Sequence, residues 1–185
     1  MRVATSEKKF TVDEYIAHEL ASQRRSEYIN GQLFEMPGEK DINNEIAGLL
    51  YILFITMLKP EGYHVYNHDV KVKIPGQEKY YYPDVFITKE EKTEANQYIK
   101  SLPELIVEVV SESTQVNDYV DKYIDYTKIP SLRYYLIVEP ETILITMYKR
   151  TGEGEWTTVK YTRLEDVVQL EHWNVSFPLK QVYSS

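Results

Sequence analysis

Residues 102–110, LPELIVEVV, constrain the fold more than any other part of the chain. The run is apolar almost throughout, which is the pattern of a β-strand covered on both faces. Such a strand needs layers above and below it, so the rest of the chain must supply helices and further strands to cover it. A single carboxylate, Glu108, sits inside its apolar stretch Leu105, Ile106, Val107, Val109 and Val110. An ionised carboxylate in a covered strand is costly unless a cation or a set of donors compensates it.

The covering elements are legible on either side. Thr11 with Glu14 has capping-box spacing and predicts a short helix over about residues 11–22. In SEYINGQLFEM the Asn30-Gly31 pair predicts a hairpin whose two turn residues both accept positive φ. Ile42, Ile46, Leu49, Leu50, Leu53, Phe54 and Met57 recur at helical spacing, predicting a long buried helix that stops before Pro60. YHVYN, DVKVKI, YYPDVFITK and ELIVEVVS then read as strands. The tract over residues 89–101 reads as a polar connection with a short helix. A second helix is predicted over 116–129, with Val116, Val120, Tyr123, Ile124 and Thr127 as its apolar face. LRYYLIVEP, TILITMYKR and EWTTVKYT add strands. With no repeat or linker, residues 1–185 read as one α/β domain with a mixed sheet.

Composition narrows the function. The chain has no cysteine, which excludes disulfide scaffolds, thiolate metal sites and cysteine nucleophiles. The N-terminus lacks the apolar core of a secretory signal, and no apolar run is expected to approach the roughly 20 residues of a membrane span. A cytoplasmic protein without a membrane partner is the expectation. A formal charge of −8 argues against broad non-specific affinity for nucleic acid but leaves room for a local basic groove.

Two carboxylates break the strand pattern in the same way. Asp84 follows Pro83 ahead of VFIT, and Glu108 sits in the next core strand. If those strands are neighbours, the two side chains meet at one end of the sheet and offer oxygen ligands to a hard divalent cation such as magnesium. Lys122 is the third element: a lysine brought to the same edge orients a water and stabilises charge developing on a phosphate. Asp118, Lys122 and Asp125 share one helical face, opposite the apolar stripe. Two carboxylates, a cation and a lysine make a phosphodiester hydrolysis site. The other reading of Glu108 is a structural ion-pair partner, and of Lys122 a solvated helix lysine. His18, His64, His68 and His172 have no metal-binding spacing and read as surface or structural residues. Lys71, Lys73 and Lys79 flank the strand leading to Asp84, and Lys128 and Arg133 flank the Lys122 helix, which suggests a basic nucleic-acid-binding rim around an acidic centre.

YYYPDVFIT, LPELIVEVVSEST and NDYVDKYIDYTKIPSLRYYLIVEPE together resemble the Uma-type family of restriction-endonuclease-like proteins, a branch of the PD-(D/E)XK nuclease superfamily. The likeness extends to SEYINGQLFEMPG near the start and FPLKQVY near the end. The resemblance implies a restriction-endonuclease-like core over about residues 40–140, with an N-terminal helix and hairpin and a C-terminal β extension. It implies that Asp84 and Glu108 hold magnesium or manganese, with the Val109 carbonyl as a backbone ligand. The lysine usual two residues after the second acid is absent, since that position is Val110, and Lys122 on the following helix takes its part. Glu27 and Glu35 match acidic positions of the family's opening segment. Where the family often carries a histidine near the start of the long helix, this chain has Asn43 or Asn44. The implied activity is metal-dependent endonucleolytic cleavage, with DNA as partner and a homodimer as the assembly suited to cutting two strands. The rivals are a nuclease-like module that binds nucleic acid or a protein without cleaving, and a homo-oligomeric structural protein.

Overall fold

The structure is a computed structural model. It describes residues 4–5, 8–36, 38, 40–110 and 117–183. Helix α1 (Val12–Ala21) leads to the hairpin β1 (Ser26–Ile29) and β2 (Gln32–Glu35), then the long helix α2 (Asp41–Leu58). Strands β3 (His64–Asn67), β4 (Lys71–Lys73), β5 (Lys79–Tyr81), β6 (Val85–Thr88), β7 (Ile99–Lys100) and β8 (Pro103–Val109) follow. A π-helical segment (Asn117–Lys122) runs into α3 (Tyr123–Tyr126). The chain continues through β9 (Tyr134–Glu139), β10 (Leu144–Arg150), β11 (Trp156–Tyr161), β12 (Val167–Leu170), β13 (Val175–Pro178) and α4 (Lys180–Tyr183).

The main sheet has the order β11-β10-β9-β8-β6-β3. Within it β8 and β9 run parallel and the other neighbours antiparallel, giving the mixed α/β architecture. A second sheet has the order β2-β1-β5-β4-β7, and β12 pairs β13. Strand period sorts β8 between two cores: Leu105, Val107 and Val109 pack toward α2, while Ile106 and Val110 join the core that contains Tyr81, Tyr126 and Tyr135. On the α2 side Ile46, Ala47, Leu50, Phe54 and Leu58 form the buried stripe. Each such large apolar side chain contributes about 1.5–3 kcal/mol by leaving water.

Local signals explain the element ends. Thr11 Oγ1 accepts from the Glu14 amide at 3.2 Å, and Glu14 Oε2 accepts from the Thr11 amide at 2.8 Å, so the expected capping box forms. Asn30 and Gly31 turn the hairpin at φ 50° and 91°. Helix α2 gives way to a 3-10 turn at Lys59–Glu61, which Gly62 closes at φ 82°. The stretch Asp41–Glu61 is long and apolar enough to cross a membrane by length and composition alone, which corrects the sequence estimate. Here it is a core helix.

Three elements depart from the sequence reading. YYPDVFITK is two strands, because the chain leaves one sheet after Tyr81 and joins the other at Val85. Pro83, lacking an amide proton, sits in the crossing. The 89–101 tract carries β7, which pairs parallel with β4. The second helix begins as a π-helix, and Val116 lies outside the described residues. Its buried side is the polar one: Lys122, Asp125 and Tyr126 are buried, while Val120 and Ile124 are each 50% exposed.

Candidate active site

The two carboxylates meet because β6 and β8 are antiparallel neighbours. Val85 stands opposite Val107, so the next step along the ladder sets Asp84 against Glu108 at the end of the sheet. Both are buried, at 4% and 3% exposure. Asp84 Oδ2 accepts from the Val109 amide at 2.6 Å, and its Oδ1 lies 3.5 Å from His68 Nδ1. His68 holds φ at 43°, a left-handed backbone uncommon outside glycine and asparagine. It is a turn residue that aims an imidazole at the carboxylate.

Glu108 alternates with Ile106 and Val110, so it faces the π-helical segment and α3. Lys122 Nζ lies 2.9 Å from Glu108 Oε1 and 3.4 Å from Glu27 Oε1. The Tyr126 hydroxyl donates to Glu108 Oε1 at 2.7 Å. Burial, reinforced by the neighbouring Glu108, holds the Tyr126 phenol well above its ordinary range, so it stays a donor. Lys122 and Tyr126 are four apart and therefore share a helical face. Glu27, on β1, is also buried.

Asp125 fixes this element from the other side. It accepts from Lys79 Nζ at 2.7 Å, the Tyr81 hydroxyl at 2.7 Å and Lys128 Nζ at 3.1 Å. Burial would raise its carboxyl pKa, but the bonds from Lys79, Tyr81 and Lys128 outweigh it and hold it below the usual range. The α2 N-terminus completes the site. Asn43, 1% exposed, donates from Nδ2 to the Val109 carbonyl at 3.4 Å, and its buried Oδ1 has no partner among the described residues.

The donor set bears on what could be held here. Among the described residues no three His, Cys, Asp or Glu side chains converge on a metal position. The two buried carboxylates, Asp84 and Glu108, are a donor set of the kind that magnesium or manganese takes, with water completing the shell. The orphaned Asn43 oxygen beside the Val109 carbonyl is a buried acceptor suited to such a water.

Other residues singled out in the sequence fall elsewhere. Glu35 is on the rim, paired with Arg24. The side chain of Asp118 lies outside the described residues. Of the basic rim, Lys71 is the clear correction: it is 5% exposed, lying over the rings of Tyr82 at 5.0 Å and Tyr15 at 5.8 Å. Burial lowers its pKa, and Glu19 offsets part of that. A lysine held by two rings inside the protein cannot line a groove. Lys79 and Lys128 are committed to Asp125. Arg133 pairs with Glu104 near the start of β8, on the order of 13 Å along the strand from Glu108. Lys73 is exposed on β4. Sequence reasoning named Asn43 or Asn44 only as standing where the family often has a histidine, read His68 as a surface or structural residue, and did not single out Tyr126. Asn43 heads the stripe Ile46, Ala47, Leu50, and a polar residue on that face was a usable signal; His68 had none.

Asp84, Glu108 and Lys122 thus sit in a mixed α/β fold with mixed sheets. The chain belongs to the Uma2 family, described as "Putative restriction endonuclease", whose model matches residues 12–177. Two proteins of Synechocystis are similar. "Uncharacterized protein slr1290" is 29% identical over 95% of this chain and 92% of its own, and "Uncharacterized protein sll1609" is 29% identical over 84% and 89%. The fold is similar to the crystal structure of "a putative nuclease belonging to DUF820" from Anabaena variabilis, with TM-score 0.75, 14% identity, and 95% and 98% of the two chains covered.

Proposed function

We propose that this protein is a metal-dependent endonuclease that hydrolyses phosphodiester bonds in DNA. The observation that carries the reading is that Asp84 and Glu108 are both buried on neighbouring strands at one end of the sheet, with Lys122 2.9 Å from Glu108. A magnesium or manganese ion bound by Asp84, Glu108 and the Val109 carbonyl would supply Lewis acidity and lower the pKa of an attacking water. The Val109 amide orients Asp84, and Tyr126 orients Glu108. Lys122, steered by Glu27 and Glu108, stabilises negative charge on a phosphate approaching that end of the sheet.

One observation favours a non-catalytic binding module: Lys122 and Tyr126 already compensate Glu108 as a structural buried pair would. The two readings part in one experiment. Asp84→Ala, Glu108→Ala and Lys122→Ala should each abolish nicking of supercoiled plasmid with magnesium or manganese, and combining them should cost little more, because residues acting as a unit lose their joint effect at the first removal. Melts add a second arm, in which magnesium stabilises the wild type and Lys122→Ala but neither carboxylate variant. A wild type that neither cuts DNA nor is stabilised by either metal makes the binding module the better account. Equal cutting by Asp84→Ala places the activity outside this site.

A further inference from the structure

A cavity of about 570 Å³ opens beside His68, and its walls include Arg24, Arg25, Asn44 and Asp69. It is continuous with the carboxylate site through His68, whose imidazole both lines the cavity and reaches to 3.5 Å from Asp84 Oδ1. We infer that this cavity is a subsite for one unpaired nucleotide of a DNA strand, with Arg24 and Arg25 holding its phosphate. The inference rests on the endonuclease reading and adds the form of the substrate.

Size and chemistry both point there. A space of about 570 Å³ is roughly 8 Å on a side, in the range of small-ligand pockets and too small to admit a duplex. A base enters such a space only when it is out of the stack. Imidazole and guanidinium planes are surfaces on which unstacked bases lie, and arginine forks match phosphate oxygens. Arg24 pairs with Glu35, and Arg25 Nε donates to Asp69 at 3.2 Å. A guanidinium has five N–H donors, so holding a carboxylate leaves others for a phosphate. The arginine pairs therefore act as pre-aimed clamps. Two arginines balance Glu35 and Asp69 in the wall, so an anion meets less repulsion here than over the surface of a chain of charge −8. Asn44, in the first turn of the 18-residue helix α2, brings the positive helix end to the same wall.

The test compares a labelled single-stranded oligonucleotide with its duplex, by anisotropy in EDTA and by KM for cleavage with magnesium. The single strand should bind at least tenfold tighter than the duplex. Arg24→Ala and Arg25→Ala should each weaken single-strand binding about tenfold, reduce its salt slope by about one, and raise KM with little change in kcat. Arg→Lys variants should recover part of the loss, and Arg163→Ala, whose exposed ion pair with Asp166 is not in the cavity wall, should change nothing. Both arginines are at the surface, so thermal melts should match the wild type. If the wild type cuts DNA while both arginine variants keep its KM and binding, the subsite is refuted and the endonuclease reading survives. Tighter binding of the duplex also refutes it. A wild type that neither binds nor cuts any DNA defeats both readings.

Discussion

Asn43 is the residue whose environment makes least sense in the protein alone. Its buried Oδ1 has no partner among the described residues, and an orphaned acceptor costs about 1–3 kcal/mol. Its Nδ2 bond to the Val109 carbonyl is long, at 3.4 Å, and returns little of that. The cost is explained if the oxygen accepts from a water in the shell of a bound cation. Asn43→Leu, close in volume and without the polar atoms, should therefore raise the melting stability of metal-free protein by about 1 kcal/mol. The same change should remove much of the stabilisation that magnesium gives the wild type, about 2.7 kcal/mol at a hundred times Kd. Destabilised metal-free protein with an unchanged magnesium response would show that the amide serves packing only. Residues of this kind differ in how far sequence exposes them. Glu108 stood out because a carboxylate inside an apolar run needs a compensating partner, whether a cation or an ion pair. Asn43 was equally visible as the polar head of the stripe that continues through Ile46 and Leu50. His68 was not, because its left-handed φ and its approach to Asp84 are set by where β3 and β4 diverge into different sheets.

The segment carrying Lys122 shows why an element can be placed correctly and still be turned the wrong way. Apolar spacing put Val120 and Ile124 inward, yet both are half exposed and the charged face is buried. A π-turn shifts the angular register that a 3.6-residue period assumes. The buried face is tolerated because each charge on it meets partners from distant strands: Lys122 meets Glu27 and Glu108, and Asp125 meets Lys79 and Tyr81. None of those partners is local in sequence, so no window of the chain contains the information. The division of YYPDVFITK between two sheets was hidden for the same reason. Asp125 thus reads as the peg that holds the lysine-bearing element. Asp125→Asn should cost about 2 kcal/mol, below the ~3–5 kcal/mol of fully buried broken pairs because Lys128 still reaches water. It should also flatten the acid limb of stability. The Asp125 carboxyl is held low in the folded state, so its contribution is present above the unfolded value of about 4 and is lost as pH falls through the folded one. Urea melts from pH 3 to 7 test this, and an acid limb identical in variant and wild type would rule Asp125 out as its source.

Across the whole molecule the 17 tyrosines act as the mortar between layers. Tyr15 stacks on Tyr28 under α1, Tyr81 meets Tyr126 between the second sheet and α3, and Tyr126 meets Tyr135 on the main sheet. Their hydroxyls do the polar joining. Tyr15 donates to the Ser26 carbonyl, Tyr82 to Glu19, and Tyr126 to Glu108, so each ring packs while its tip satisfies a buried acceptor. A fold joined in this way has a specific weakness at high pH. Burial raises the phenols of Tyr15, Tyr82 and Tyr126 far above their ordinary value, with nearby acids adding to it, and lifts that of Tyr119 to about 12. For a group whose folded pKa is raised, the contribution to stability is complete below the unfolded pKa, near 10 for tyrosine, and is lost as pH rises through the folded value. The unfolded chain ionises first, and each buried phenol then costs about 1.4 kcal/mol per pH unit. Three of them withdraw about 4 kcal/mol per unit from a total stability of about 5–15 kcal/mol, so cooperative unfolding should fall between about pH 11 and 14, with the melting temperature dropping from about pH 10 upward. Circular dichroism melts followed alongside phenolate absorbance at successive pH values check this. The expected trace has a shallow rise from exposed tyrosines near pH 10, then a steep rise coincident with loss of secondary structure. A smooth titration of all the phenols with the melting temperature unchanged to pH 11.5 would mean that the layers are held by something other than their neutral tyrosines.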